Sequence, residues 1–151
     1  MKSWLKFIIS ILICQLAGII GSFFTSSSVN SSYLTLIKPS FNPPSWVFAP
    51  VWTILFIMMG VSLFLIWNKS KKIPIIFWIQ LSLNILWSVF FFGLESPFLA
   101  FICILLLWTA ILLTIIRFHK TSRIASYLLI PYLLWVSFAA ILNFSIWVLN
   151  L

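Results

Sequence analysis

Apolar residues come in runs of about twenty, parted by short polar breaks that carry nearly all of the chain's charge. A helix of that length crosses the hydrocarbon of a bilayer, so the runs restrict the chain to a membrane-spanning architecture. Five runs are read, at about 5–24, 44–67, 74–93, 97–116 and 124–149. The breaks are Thr25–Pro43, Asn68–Ile73, Leu94–Ser96 and Arg117–Arg123. The expected fold is all-α, a five-helix transmembrane bundle forming a single integral membrane domain over 1–151. The first run follows Lys2 and Lys6 as a signal peptide would, but no A-x-A site closes it, so it is read as a retained helix.

Prolines punctuate the runs. Pro44, Pro74, Pro97 and Pro131 fall at or near expected helix starts, where a missing N–H costs little. Pro50 falls inside the second run and is expected to kink it. Between the first two runs lies KPSFNPPSWVFAPVWT, Lys38 to Thr53, dense in proline and tryptophan. Each proline fixes φ and pushes the preceding residue toward an extended conformation. Lys38–Pro44 is therefore read as a stiff lid-like loop between helices 1 and 2, with Trp52 pointing inward below it.

Charge sets orientation and excludes some functions. Only 7% of residues are charged, against about 25% in soluble domains. The net charge of +8 could suit nucleic acid, but its placement in the breaks fits anionic lipid and topology instead. Lys2, Lys6, Lys69, Lys71, Lys72, Arg117, Lys120 and Arg123 share one face, and the other receives only Lys38 and Glu95. The chain is expected in a bacterial cell membrane, with the N-terminus in the cytoplasm and the C-terminus outside. No charge lies deep in a run, which argues against ion pathways and proton relays.

Conventional catalysis has little to stand on. His119 sits in a basic break and is read as solvated, and Glu95 is the sole carboxylate, so no acid/base pair exists. Cys14 and Cys103 lie inside apolar runs without metal-ligand spacing. Met58, Met59 and the two cysteines are unconvincing axial ligands for haem. No metal and no resident cofactor are expected.

Two aromatic–amide stripes point to a cavity. Gln80, Asn84, Trp87 and Phe91 share one face of the third run, and Tyr132, Trp135, Ala139, Asn143 and Trp147 follow a similar stripe in the fifth. Amides are costly in lipid unless paired, so both stripes should face the bundle interior. They either join helices or line a cavity beside small Ala139, and the pattern leaves both open. Trp4, Trp46, Trp67, Trp78 and Trp147 lie near run ends, where aromatic belts form. Trp52, Trp87 and Trp135 lie deeper, and Trp108 fits a lipid-facing or a packed position equally. The pairs Ala17/Gly21 and Gly18/Ser22 permit close helix approach, within the chain or between two copies.

Tyr33 with KPSFNPPSWVFAPVWT, then QLSLNILWSVFFFG (Gln80–Gly93) and PYLLWVSFAAILNFSIWVLN (Pro131–Asn150), resemble the tryptophan-rich sensory protein/translocator protein family (TspO/MBR), also called the peripheral benzodiazepine receptor family. The resemblance implies a five-helix bundle whose first loop closes over a pocket for porphyrins such as protoporphyrin IX and for isoquinoline or benzodiazepine drugs. It implies Phe48, Ala49, Trp52, Asn84, Trp87, Phe91, Trp135, Ser137 or Phe138, Ala139 and Leu142 as pocket residues, to which the stripe adds Gln80. It also implies a homodimer, and light-dependent porphyrin breakdown through Trp52 and Trp135. The sterol-recognition pattern of animal relatives is absent, with Phe144 and Val148 at its Tyr and Lys/Arg positions, so tight cholesterol binding is not expected. Phe41 and Asn42 replace the Trp and His that relatives often carry in the loop. Three readings follow: a receptor or transporter, a porphyrin-degrading protein, or a membrane sensor that regulates partners.

Overall fold

Proline and serine set the helix boundaries of the computed structural model, which describes residues Met1 to Leu151. Helix α1 runs Ser3–Val29, a short α2 spans Ser32–Thr35, and a 3₁₀ turn, Ser45–Val47, leads into α3, Phe48–Ser70. Helix α4, Ile75–Ser88, continues into a π turn at Val89–Gly93, and α5 runs Pro97–His119. A short α6, Arg123–Leu128, precedes α7, Ile130–Leu149. Grouped by length and apolarity these make five membrane-spanning segments, with no strand.

Three boundaries differ from the sequence reading, each for a local reason. Helix α1 continues through the serine run, because Ser26 and Ser27 donate to the carbonyls of Phe23 and Phe24, at 3.3 and 2.9 Å. Serine hydroxyls bonded back to their own helix need no loop. Helix α3 begins at Phe48, which puts Pro50 in its first turn, where its N–H would have no intrahelical partner. The expected kink therefore has no cause. The fifth segment breaks at Leu129, two residues before Pro131, which cannot donate back to the preceding turn.

Serines cap the helices that follow breaks. Ser96 Oγ accepts from Leu99 N and Ser122 Oγ from Ala125 N, both at 3.4 Å. At the opposite end of α5, Arg117 and His119 sit in the last turn, favourable to the helix dipole. His119 is exposed, as expected, and its Nδ1 lies 3.1 Å from Ser126 Oγ, which ties α5 to α6.

Around the bundle, α1 packs on α3 and α4, α5 packs on α4 and α7, and α3 meets α6. The half that holds the basic ends is solid. Met59, Leu63, Phe77, Ile111, Phe118 and Val136 are fully buried there, and Ser62 Oγ donates to Ala125 O at 2.6 Å. Exposed Leu12, Leu16, Leu106, Leu134 and Ile141 face outward, as a lipid-facing surface requires. In the other half α3 hardly touches α7, and the bundle opens.

Helices α1 and α3 come together at Gly60. A Cβ built there would lie 2.8 Å from Ile11 Cα, a backbone atom that cannot move alone. Gly60→Ala should therefore cost about 1–3 kcal/mol by forcing the two helices apart. Thermal unfolding in detergent would show it, and an unchanged melting temperature would contradict the contact.

Candidate functional site

Above the Gly60 crossing the helices diverge around a cavity of about 520 Å³, within the usual range of about 300–1,000 Å³ for small-molecule sites. Helices α1, α3, α4 and α7 form its wall, and no charged side chain lines it. Exposed Ser22 and Ser26 of α1 and Thr53 of α3 lie on its margin, so it opens sideways between those helices. Gln15 Nε2 donates to Thr53 O at 3.1 Å and closes the lower edge of that gap.

Aromatic rings make the wall opposite the gap. Trp52 stacks on Phe56 at 5.7 Å between centroids and lies 6.3 Å from Trp87 and from Tyr132. Trp87 continues to Phe91 at 5.6 Å, and Phe48 meets Trp135 edge-on at 6.3 Å. Offset and edge-on pairs of this kind leave broad apolar ring faces turned to the open space.

Hydrogen bonds fix those rings. Trp87 Nε1 donates to Asn143 Oδ1 at 3.0 Å, and Asn143 Nδ2 donates to Pro97 O at 2.8 Å. One buried amide thus joins α4, α7 and the start of α5. Asn84 Nδ2 donates to Tyr132 OH at 2.7 Å, again linking α4 to α7. The two asparagines both join helices and line the cavity, so the alternatives read from sequence are combined.

Of the residues proposed from sequence, Phe48, Ala49, Trp52, Asn84, Trp87, Phe91, Trp135, Phe138, Ala139 and Leu142 line the cavity. Gln80 does not. It lies buried below, its Nε2 3.4 Å from Met59 Sδ and its Oε1 without a partner. Of the alternatives Ser137 and Phe138, Ser137 turns to α5, where it accepts from Trp108 Nε1 at 2.8 Å. That bond also settles Trp108 as packed. Trp147 leaves its stripe to pack on Phe98, at 5.0 Å between ring centroids.

Helix α1 contributes a wall that the sequence reading omitted. Gln15, Gly18, Ser22 and Thr25 all line the cavity, at the i, i+3, i+7, i+10 spacing of one helical face. A Cβ at Gly18 would lie 2.7 Å from the Phe56 ring, and one at Gly21 would lie 3.1 Å from Ser88 Oγ. The small residues of α1 therefore serve packing within the chain.

The α1–α3 connection covers the cavity and is fastened at several points. Asn150 accepts from Ile37 N at 3.0 Å through Oδ1 and donates to Ile37 O at 2.9 Å through Nδ2. Ser32 Oγ donates to Glu95, which sits in a left-handed turn at φ 51°. Tyr33 OH donates to Asn42 Oδ1 at 3.1 Å. Burial pushes the Tyr33 phenol up despite that bond, so it remains a donor at neutral pH. Phe41 reaches Phe138 at 6.4 Å, whereas Trp46 is 75% exposed and takes no part in the wall.

The chain matches known proteins over nearly its whole length. A profile described as the TspO/MBR family matches residues 10–148. The chain is similar to "Tryptophan-rich protein TspO" of Chlorobaculum tepidum, 48% identical over 155 residues, covering 99% of this chain and 98% of the relative. The protein of the same name from Archaeoglobus fulgidus is 43% identical over 150 residues, covering 97% of each. "Translocator protein" of Homo sapiens is 34% identical over 140 residues, covering 88% of this chain and 83% of the relative.

Asn143→Leu should cost about 1–3 kcal/mol, because it orphans Trp87 Nε1 and Pro97 O together. In a Trp87→Phe background the cost should be smaller, since one donor is already gone. Equal losses of thermal stability in the two backgrounds would show that the bond contributes nothing.

Proposed function

The chain belongs to the TspO/MBR family of integral membrane proteins, and from that premise we propose a membrane receptor or transporter for flat, hydrophobic tetrapyrroles such as protoporphyrin IX. The observation that carries the reading is the charge-free cavity of about 520 Å³ walled by Trp52, Trp87 and Trp135. Indole faces suit a large planar ligand, and an apolar wall favours a molecule that arrives through lipid. The gap between α1 and α3 supplies a side opening toward the bilayer, and the fastened connection above it limits escape into water.

Orientation follows from charge. Ser3 Oγ donates to Asn68 Oδ1 at 3.3 Å, and Lys6 Nζ lies 5.9 Å from the Trp67 ring, so the start of α1 and the end of α3 lie together. Phe77 and Phe118 stack at 5.8 Å, which brings the start of α4 to the end of α5. With the basic residues gathered at that end, we place it in the cytoplasm and the covered mouth of the cavity outside.

Protoporphyrin IX should quench the tryptophan fluorescence of purified protein saturably, and Trp52→Ala combined with Trp135→Ala should weaken binding by about tenfold or more, the loss of roughly 1.4 kcal/mol. Equal binding by the double variant would reject the site. For orientation, single cysteines replacing Ser40 or Lys120 can be built on a Cys14→Ser, Cys103→Ser background. A maleimide that does not cross membranes, added to intact cells, should label the first and spare the second; the reverse pattern would invert the topology.

A further inference from the structure

Thr25, Thr53, Thr114, Ser137 and Ser145 each donate their hydroxyl to the carbonyl four residues earlier, which removes the cost of carrying it into hydrocarbon. Ser88, the last residue of α4, makes no such bond and has no other partner in the chain, although it is only 8% exposed. What it faces is the cavity. A hydroxyl left unpaired at that depth costs free energy unless something supplies an acceptor. Gly21 of α1 stands opposite, and a Cβ there would lie 3.1 Å from Ser88 Oγ, so the missing side chain leaves the hydroxyl uncovered. Asn84 lies one turn below on the same helical face, gives one N–H to Tyr132 and keeps a second. The other unpaired donors are placed differently. Ser45 and Asn30 are exposed, within reach of water, and Trp135 Nε1 is sealed from the open space. Trp52 Nε1 belongs to a half-buried ring on another helix.

We propose that Ser88 is a specificity-determining residue of the cavity, its hydroxyl donating to a carbonyl oxygen on a flat aromatic ligand. A carbonyl oxygen has two lone pairs, so the free N–H of Asn84 can serve it as a second donor. The aromatic walls hold a ring system with little regard to its substituents, whereas one deep hydroxyl decides which edge of the ligand turns toward α4. A ligand without the oxygen leaves that hydroxyl unpaired, and a ligand that carries it gains a hydrogen bond where water is scarce. This rests on the reading of the cavity as a ligand site, though not on the ligand being a porphyrin.

Fluorenone and fluorene share a flat tricyclic frame and differ by one carbonyl oxygen. Equilibrium dialysis of each against lipid nanodiscs with and without the protein reads specific binding, the empty discs subtracting partition into lipid. Wild type should bind fluorenone about fivefold tighter than fluorene, the scale of one net hydrogen bond. Ser88→Ala should abolish that preference while binding fluorene at least as tightly. Because the hydroxyl has no partner in the chain, the same substitution should leave the melting temperature of the empty protein unchanged or raised. A preference that survives Ser88→Ala, no preference in wild type, or a lower melting temperature of the variant would overturn the inference. Neither probe bound above the empty discs would reject the cavity as a site for flat aromatic ligands, and the Ser88 contact with it. Failure of protoporphyrin IX to bind, with the fluorenone preference intact and dependent on Ser88, would reject the tetrapyrrole reading and leave this one standing.

Discussion

Polar groups carried into hydrocarbon must find partners within the chain, and those pairings decide how this bundle is assembled. Trp87, Asn143 and Pro97 O form one such chain, Asn84 and Tyr132 another, and Trp108, Ser137 and Leu133 O a third. Each joins α7 to a neighbour. Apolar packing alone discriminates little between lipid tails and another helix, whereas a buried amide has few acceptable positions. The rotation of α7, and with it the direction of Trp135 and Ala139, follows from these few bonds. The cavity is the space left when α7 is held to α4 and α5 while hardly touching α3.

The contrast between the two halves has the same origin. Where α1 crosses α3, Gly60 allows backbone contact and the interior fills with Met59, Leu63 and Phe77. Farther along, the bulk of Trp52, Phe56 and Trp87 holds the helices apart. Large rings that touch edge-on or offset cannot close the remaining space without leaving favourable geometry. A glycine contact at one end and an aromatic wedge at the other thus give a bundle both a solid half and an open one.

Much of this was legible in the sequence, because hydropathy reports span and helical period reports face. Asn84, Trp87, Phe91, Trp135 and Ala139 reach the cavity as their periodicity predicts. Gln80 lies on the same stripe yet falls below the floor, since periodicity gives direction around a helix and says nothing of depth along it. The α1 wall was missed although Gln15, Gly18 and Ser22 lie inside the first run, because Gly18 and Ser22 read as a small-residue packing pair and carry no aromatic signal. Pro50 was misplaced because a few residues' error in a helix start turns a tolerated first-turn proline into a breaker. The lid fastening, which joins Ile37 to Asn150, depends on contacts between distant residues and left no local signal.

The late position of those partners bears on biogenesis. Asn84 and Trp87 emerge from the ribosome well before Tyr132 and Asn143, and Ile37 long before Asn150. During membrane insertion α4 must carry two unmatched polar side chains until the final span arrives. The cavity's wall is complete only once the last helix is in place.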